Sequence, residues 1–252
     1  MILLAALSQG ITTNSKGLAH MPENRVGAAS ELPEYAAKKI DSPLALSGKL
    51  DDPRWQKAVA VKLNDAVTGE PGRFQTEVRV LYDSTYLYVG FRCEDDYVWG
   101  TVTDRDGPIW DEECVEVFIN PANVAHQYYE INLSPNNVLF DACVLNRRTA
   151  GKPTETFQPL MDYHVQGIQT AVHVDGELGE RGKASGWTAE YAIPFAELVG
   201  AANVPPQPND VWRINFYRID SPERGQRESY AWGTTGTTAF HLPWKFGILH
   251  FE

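Results

Sequence analysis

The 252-residue sequence has no apolar run approaching the ~18 residues that a membrane-spanning helix requires, so a helical membrane span is excluded. It has only three cysteines, Cys93, Cys114 and Cys143, and no CxxC spacing. Neither a disulfide framework nor a thiolate metal site is expected, and all three fall in strand-like runs that read as buried free thiols. The six histidines are scattered without HExxH, and no GxSxG nucleophile elbow occurs. The run Gly233-Thr234-Thr235-Gly236-Thr237-Thr238 lacks the lysine of a phosphate loop and reads as a flexible surface loop. Positive charge is also scarce: 22 Lys and Arg stand against 33 Asp and Glu, a net charge of −11. Such a surface repels phosphate backbones and disfavours a nucleic-acid partner.

What the chain does have is aromatic side chains, turns and short alternating runs. Hydrophobic residues make up 43%, enough for a core, and seven Trp, eleven Tyr and ten Phe are accompanied by 20 Gly and 16 Pro. Thr76–Tyr82 alternates, Asp83-Ser84 makes a polar turn, and Tyr86–Cys93 alternates again, which predicts an antiparallel hairpin. Further strands are expected over Cys114–Asn120, His126–Leu133, Val138–Val144, Ile168–Val174, Trp187–Ile193, Val211–Ile219, Ser229–Trp232 and Phe246–Phe251. One short helix is expected near Phe195–Val199. Many strands and little helix predict an all-β fold, a sandwich or barrel, with no βαβ layout and no internal repeat.

Residues 1–43 lack sustained periodicity and read as an irregular N-terminal tail or linker, with one helical turn near Tyr35-Ala36-Ala37-Lys38. Ile2–Leu7 resembles a short, degenerate export signal without a basic residue before it. Residues 44–252 read as one large β domain.

Two neighbouring runs carry the chemistry. In Val115–Asn120 the aliphatic residues share one face while Glu116, Phe118 and Asn120 share the other. In Tyr128–Leu133 the polar face carries Tyr128, Glu130 and Asn132, and Trp110 lies just before the first run. If the two strands are adjacent, one sheet face offers carboxylates, an amide and rings. Sugars need that mixture, because rings stack on C–H patches and planar groups bond hydroxyls. An ordinary solvated sheet face fits the periodicity equally well. A glycosidase using the carboxylates between Asp111 and Asp141 (Asp111, Glu112, Glu113, Glu116, Glu130, Asp141) is the enzymatic alternative.

Several motifs, in order, resemble the family 9 carbohydrate-binding modules. Gly48-Lys49-Leu50-Asp51-Asp52-Pro53-Arg54-Trp55 matches their opening. Thr76–Asp83 with Tyr86–Val89 matches the next signature, and Trp110–Ile119 the central one. Gly186–Glu190, Ile193-Pro194-Phe195, Asn215–Arg218 and Lys245-Phe246-Gly247 follow.

The resemblance implies a two-sheet antiparallel β-sandwich, jelly-roll-like, that binds sugars without cleaving them. It implies a ligand at the reducing end of a β-glucan or xylan chain, held between two rings. By motif position Trp110 is the first ring and Phe240 takes the place of the second, usually a Trp. Glu116 and Asn132 match groups that bond sugar hydroxyls, Glu130 replaces a basic residue of some members, and Arg218 completes the ligand-binding set. No cofactor is required; structural calcium is known in the family, with Asp95, Asp96, Asp104 and Asp106 as candidate ligands here. The implied setting is secreted or periplasmic, in association with carbohydrate-degrading enzymes. A relative of the sandwich that has lost sugar binding, some of which hold haem, is a further alternative.

Overall fold

The computed structural model describes residues 32–252. Among them the chain forms thirteen strands: β1 (Glu34–Lys39), β2 (Val61–Asp65), β3 (Thr76–Tyr82), β4 (Tyr86–Glu94), β5 (Cys114–Asn120), β6 (Gln127–Leu133), β7 (Leu139–Asn146), β8 (Phe157–Leu160), β9 (Gln169–Gly176), β10 (Ala184–Pro194), β11 (Val211–Asp220), β12 (Glu228–Ala231) and β13 (Gly247–Phe251). Helix is confined to 3-10 turns, including Phe195–Glu197 where the short helix was expected.

Two sheets form a sandwich. The front sheet runs β8-β7-β6-β5-β11, after which β11 pairs β13 along its first half and β12 along its second. The back sheet runs β9-β10-β4-β3. Two strands change sheet partway along. β1 pairs β13 through Glu34–Ala37 and β3 through Lys38 and Lys39. β2 pairs β3 through Val61–Leu63 and β12 through Asn64 and Asp65. Strands that switch sheets make the corners of such a sandwich.

The hairpin β3–β4 closes at Asp83, whose carboxylate accepts from the Thr85 and Tyr86 backbone N–H groups at 2.6 and 2.8 Å. Alternation then fills the space between the sheets. Val115, Val117 and Ile119 from β5 and Ile214 and Phe216 from β11 meet Val78, Val80, Phe91, Ala189 and Tyr191 from the back sheet. The Tyr191 hydroxyl crosses the layer to the Val115 carbonyl at 3.0 Å. Cys93, Cys114 and Cys143 are buried free thiols.

Both outer faces are also covered. Behind the back sheet, Ile40, Leu44, Trp55 and Ala58 pack on Leu81, Tyr88 and Ala192. The anchor is Glu190, fully buried, which accepts from the backbone N–H of Ser47 (2.9 Å), that of Gly48, and Trp55 Nε1 (2.8 Å). Gly48 has φ +82, and a Cβ there would stand 2.5 Å from the Val172 carbonyl carbon, so only glycine lets this segment reach the sheet.

Two expectations need correction. The segment around Tyr35 is a strand, not a helical turn, and it pairs with both sheets. Ala and Lys have good helix propensity, but Tyr35 and Ala37 alternate into the core, and tertiary pairing overrides the local preference. The sandwich is also not wholly antiparallel, because both pairings of β1 are parallel. The export-signal reading of Ile2–Leu7 lies outside the described residues. Two strands carry too little pattern to be read from sequence. β2 has one buried residue, Leu63, and β8 is a four-residue edge strand containing Pro159.

Glu190→Ala removes the acceptor of three hydrogen bonds and leaves the donors stranded under the covering segment. The expected loss is about 3 kcal/mol or more in urea unfolding, with faster hydrogen exchange over residues 44–58; an unchanged midpoint refutes the anchoring role.

Candidate functional site

The outer face of the front sheet is the chemically unusual surface. β5 and β6 are antiparallel neighbours, with Glu116 opposite Asn132 and Phe118 opposite Glu130. β11 flanks β5 on the other side, with Tyr217 opposite Glu116. Glu116, Glu130, Asn132, Tyr128 and Tyr217 therefore share one face. That face is not solvated: each of them is less than a tenth exposed. Loops cover it, bringing Ile109, Phe240 and Phe246 onto Phe118, Tyr128 and Tyr217.

The cover leaves a cavity of 520 Å³, with Glu116 and Glu130 on its sheet side. Trp110, Phe140, Phe157 and Phe240 supply rings, and Arg148, Arg227 and His241 supply polar groups. Trp110 is carried by a 3-10 turn, Ile109–Asp111, whose Ile109 is fully buried and anchors it. It is itself half-buried, its ring edge-on to Phe140 at 4.9 Å between centroids. The Thr235 hydroxyl bonds the Ala66 carbonyl at 3.0 Å, pinning the Gly/Thr loop, whose Thr238 lines the cavity. Gly236, Thr237 and Thr238 are exposed, as expected of a surface loop.

The two glutamates have few protein partners. The Cys114 thiol donates to Glu116 at 3.5 Å, and Asn132 Nδ2 donates to Glu130 at 2.9 Å. Burial raises both carboxyl groups above the usual carboxylate range, and the Glu130 charge raises Glu116 further, while Arg227 partly offsets it. His241 is oriented by the Tyr128 hydroxyl, 2.7 Å from Nδ1, and its ring stacks on Phe157 at 3.7 Å. Burial holds the imidazole neutral, lowering it to about 3, with Arg148 acting in the same direction. Its Nε2 lies 3.9 Å from Glu130 Oε2, beyond hydrogen-bond length, so a hydroxyl between them could bond both.

Of the residues expected at a sugar site, Trp110, Glu116, Glu130 and Phe240 come together at this cavity. Phe240 is only 5% exposed and stacks face to face on Tyr217 at 4.1 Å, so it offers little free ring surface. Asn132 lies behind the lining, fully buried, and positions Glu130. Arg218 is a correction: it follows Tyr217 on β11, so strand alternation turns it into the layer between the sheets. There it bonds the Glu94 carbonyl at 2.8 Å, Thr76 Oγ1 at 3.2 Å and Asp95 at 2.6 Å, tying the front sheet to the back. Arg148, Phe157, Arg227 and His241 escaped the sequence reading because they lie in loops or in short edge strands without periodicity.

The carboxylates between Asp111 and Asp141 do not form one cluster. Asp111 is exposed, and Glu112 accepts from the Thr101 and Val102 backbone N–H groups at 2.7 and 3.2 Å. Glu113 is buried beside Asp95, which together with burial pushes it up to about 10. Asp141 pairs with Arg105 at 2.6 Å. Only Glu116 and Glu130 reach the cavity.

The four calcium candidates also separate. Asp96 pairs with Arg73 at 3.0 Å and Asp104 is exposed. Asp106 groups with Asp141 and His164, and Asp95 groups with Glu113 and Asp220.

Comparison with known proteins gives a consistent result. The family described as "Carbohydrate family 9 binding domain-like" matches residues 46–252. An extracellular protein of Arthroderma benhamiae is 28% identical over 179 residues, 67% of this chain and 74% of the other. Endo-1,4-beta-xylanase A of Thermotoga maritima is 26% identical over 217 residues, which are 85% of this chain but 17% of the xylanase. A solved protein of Bacteroides uniformis superposes with TM-score 0.69 and 18% identity, over 88% of this chain and 100% of the other. A family 9 carbohydrate-binding module of Caldicellulosiruptor kristjanssonii, in complex with cellotriose, superposes with TM-score 0.60 and 11% identity, over 87% and 94%.

The buried glutamates fix a pH response. Between the unfolded value of about 4.3 and their raised folded values, the native state keeps protons that the unfolded chain has released. Stability therefore falls as pH rises through that interval and levels off above it. Relative to wild type, the Glu116→Gln/Glu130→Gln variant should lose this part of the decline in thermal unfolding; superimposable pH profiles contradict the assignment.

Proposed function

The chain belongs to the carbohydrate family 9 binding domain-like family, and from that premise we propose that its cavity is a non-catalytic binding site for oligosaccharides or polysaccharide ends of the β-glucan or xylan class. One observation carries the reading: a half-buried tryptophan and two buried glutamates converge on a single covered sheet face. Trp110 stacks on the C–H face of a sugar ring, while Glu116, Glu130 and His241 bond its hydroxyls. Affinity comes from the ring contact, and selectivity comes from polar groups that would stay unpaired without a matching hydroxyl.

A 520 Å³ cavity suits a terminal unit better than the middle of a chain, and the reducing end is the terminus that the family resemblance implies. The presence of a related segment within a xylanase supports a place beside polysaccharide-degrading enzymes, outside the cell. Glycoside cleavage is the weaker reading. It needs carboxyl groups flanking the scissile bond, whereas Glu116 and Glu130 rise from adjacent strands on one wall.

Calorimetry with cellotriose and xylotriose tests the proposal. Trp110→Ala should cost about 2 kcal/mol or more, roughly thirtyfold in affinity, with thermal stability nearly unchanged because the ring lies outside the inter-sheet core. A folded variant that binds normally removes Trp110 from the site. Borohydride reduction of the oligosaccharide should weaken binding, and equal affinity refutes the reducing-end mode.

For structural calcium, the buried Asp95–Glu113–Asp220 group is the better fit. Both Asp220 oxygens and Glu113 Oε1 are buried without hydrogen-bond partners, and Arg218 is the single cation among three carboxylates. A divalent cation held there would neutralise the remaining charge and couple the two sheets. Chelation should then lower the melting temperature by about 5 °C or more, reversibly on adding calcium; an unchanged transition refutes the site.

A further inference from the structure

The neutral-sugar reading leaves two cationic groups of the cavity without a task. Arg148 lies just after β7 and Arg227 just before β12, so the two enter from opposite sides of the β6-β5-β11 floor. Each guanidinium lies against a ring of the wall: Arg148 is 4.8 Å from the Phe157 centroid, and Arg227 is 5.6 Å from that of Phe240. Backbone contacts steady both. Arg148 Nε donates to the Glu155 carbonyl at 2.8 Å, and Arg227 Nη1 donates to the Trp110 carbonyl at 3.3 Å.

Neither arginine forms an ion pair with a carboxylate of the described residues, although Arg54, Arg73, Arg105 and Arg218 each do. In a chain with eleven more acidic than basic groups, available partners are not in short supply. The two also differ in what they face. The field of Arg227 falls on Glu116, whereas that of Arg148 falls on His241 and Tyr128, both neutral. Arg227 thus has a carboxyl group to balance, and Arg148 has none. Both terminal nitrogens of Arg148 are without a hydrogen-bond partner among the described residues, and the guanidinium lies over Phe157 in a cavity that Pro159 and Met161 also line. A planar fork of donors beside apolar side chains is suited to a carboxylate, and the apolar surroundings strengthen such a pair.

We propose that the cavity selects a sugar bearing a carboxylate, a uronic acid unit, with Arg148 as the specificity-determining residue that receives the acid group. The inference rests on the sugar-binding reading of the same cavity and specifies its ligand class. The ring stacks on Trp110 and its hydroxyls meet Glu116, Glu130 and His241. The carboxylate, in place of a hydroxymethyl group, extends toward Phe157 and pairs with the free edge of the guanidinium.

The test compares a xylo-oligosaccharide carrying one glucuronic acid unit with the same compound after its carboxyl is reduced to the alcohol, by calorimetry on the full chain. Wild type should bind the acid about tenfold more tightly than the alcohol, and this ratio should shrink as salt is raised. In Arg148→Gln the ratio should fall toward one; Arg148→Lys, which keeps charge but loses the fork, should fall between. Equal binding of acid and alcohol by wild type overturns this inference and leaves sugar binding standing. A tenfold ratio that survives in Arg148→Gln overturns the assignment to Arg148. Failure of wild type to bind either compound, or cellotriose, overturns the sugar-binding reading and this inference with it.

Discussion

The front sheet must be buried on both faces, and the rest of the molecule follows from that constraint. Its inner face is a conventional apolar layer against the back sheet, with Val115, Val117, Ile119, Ile214 and Phe216 at its centre. Its outer face is mixed, aromatic and carboxylic, and burying it exacts desolvation of Glu116 and Glu130. Covering such a face without filling it leaves a space bounded by rings on one side and under-bonded carboxyls on the other. The cavity is a result of how the polar strand face is roofed. The Trp110 turn, the Gly/Thr loop and the segment through Phe246 are the roof.

The parts of this arrangement visible in the sequence are those set by period-two alternation. The hairpin at Asp83, the strands from Cys114 to Leu133 and the facing of Glu116 and Glu130 follow from residue order alone, because a strand offers only two faces. Motif order extended this to Trp110. It misled at Arg218, where alternation should have prevailed, since a residue next to Tyr217 cannot share its face. β1 was hidden for another reason. Its Tyr35 and Ala37 become a strand only against β13, more than two hundred residues away. His241, Arg148 and Arg227 enter the cavity through loop paths and edge positions, which no local periodicity encodes.

Charge is distributed with equal economy. The excess of acid is not spread evenly over the surface, because a share of it is buried in two places with different partners. Between the sheets, Asp95, Glu113 and Asp220 surround Arg218, whose bonds to Thr76 and Glu94 also bridge the layers. On the outer face, Glu116 and Glu130 have only a thiol and an amide for company, and burial raises both carboxyl groups. The first arrangement stabilises structure by enclosing a cation. The second leaves hydrogen-bonding capacity unused by the protein, and a ligand can complete it.

The parallel pairing of β1 with β13 also has a mechanical consequence. Glu34–Ala37 lie alongside Ile248–Phe251 and point the same way. A pull applied at the start of β1 and at the end of β13 therefore draws the two strands past each other lengthwise. All the ladder bonds between them resist at once, instead of opening one after another as in a hairpin peeled from its end. Lys38 and Lys39 extend the same strand onto β3, so the load passes from the front sheet into the back one. β1 and β13 are thus fastened to each other in a geometry that withstands tension along the strands.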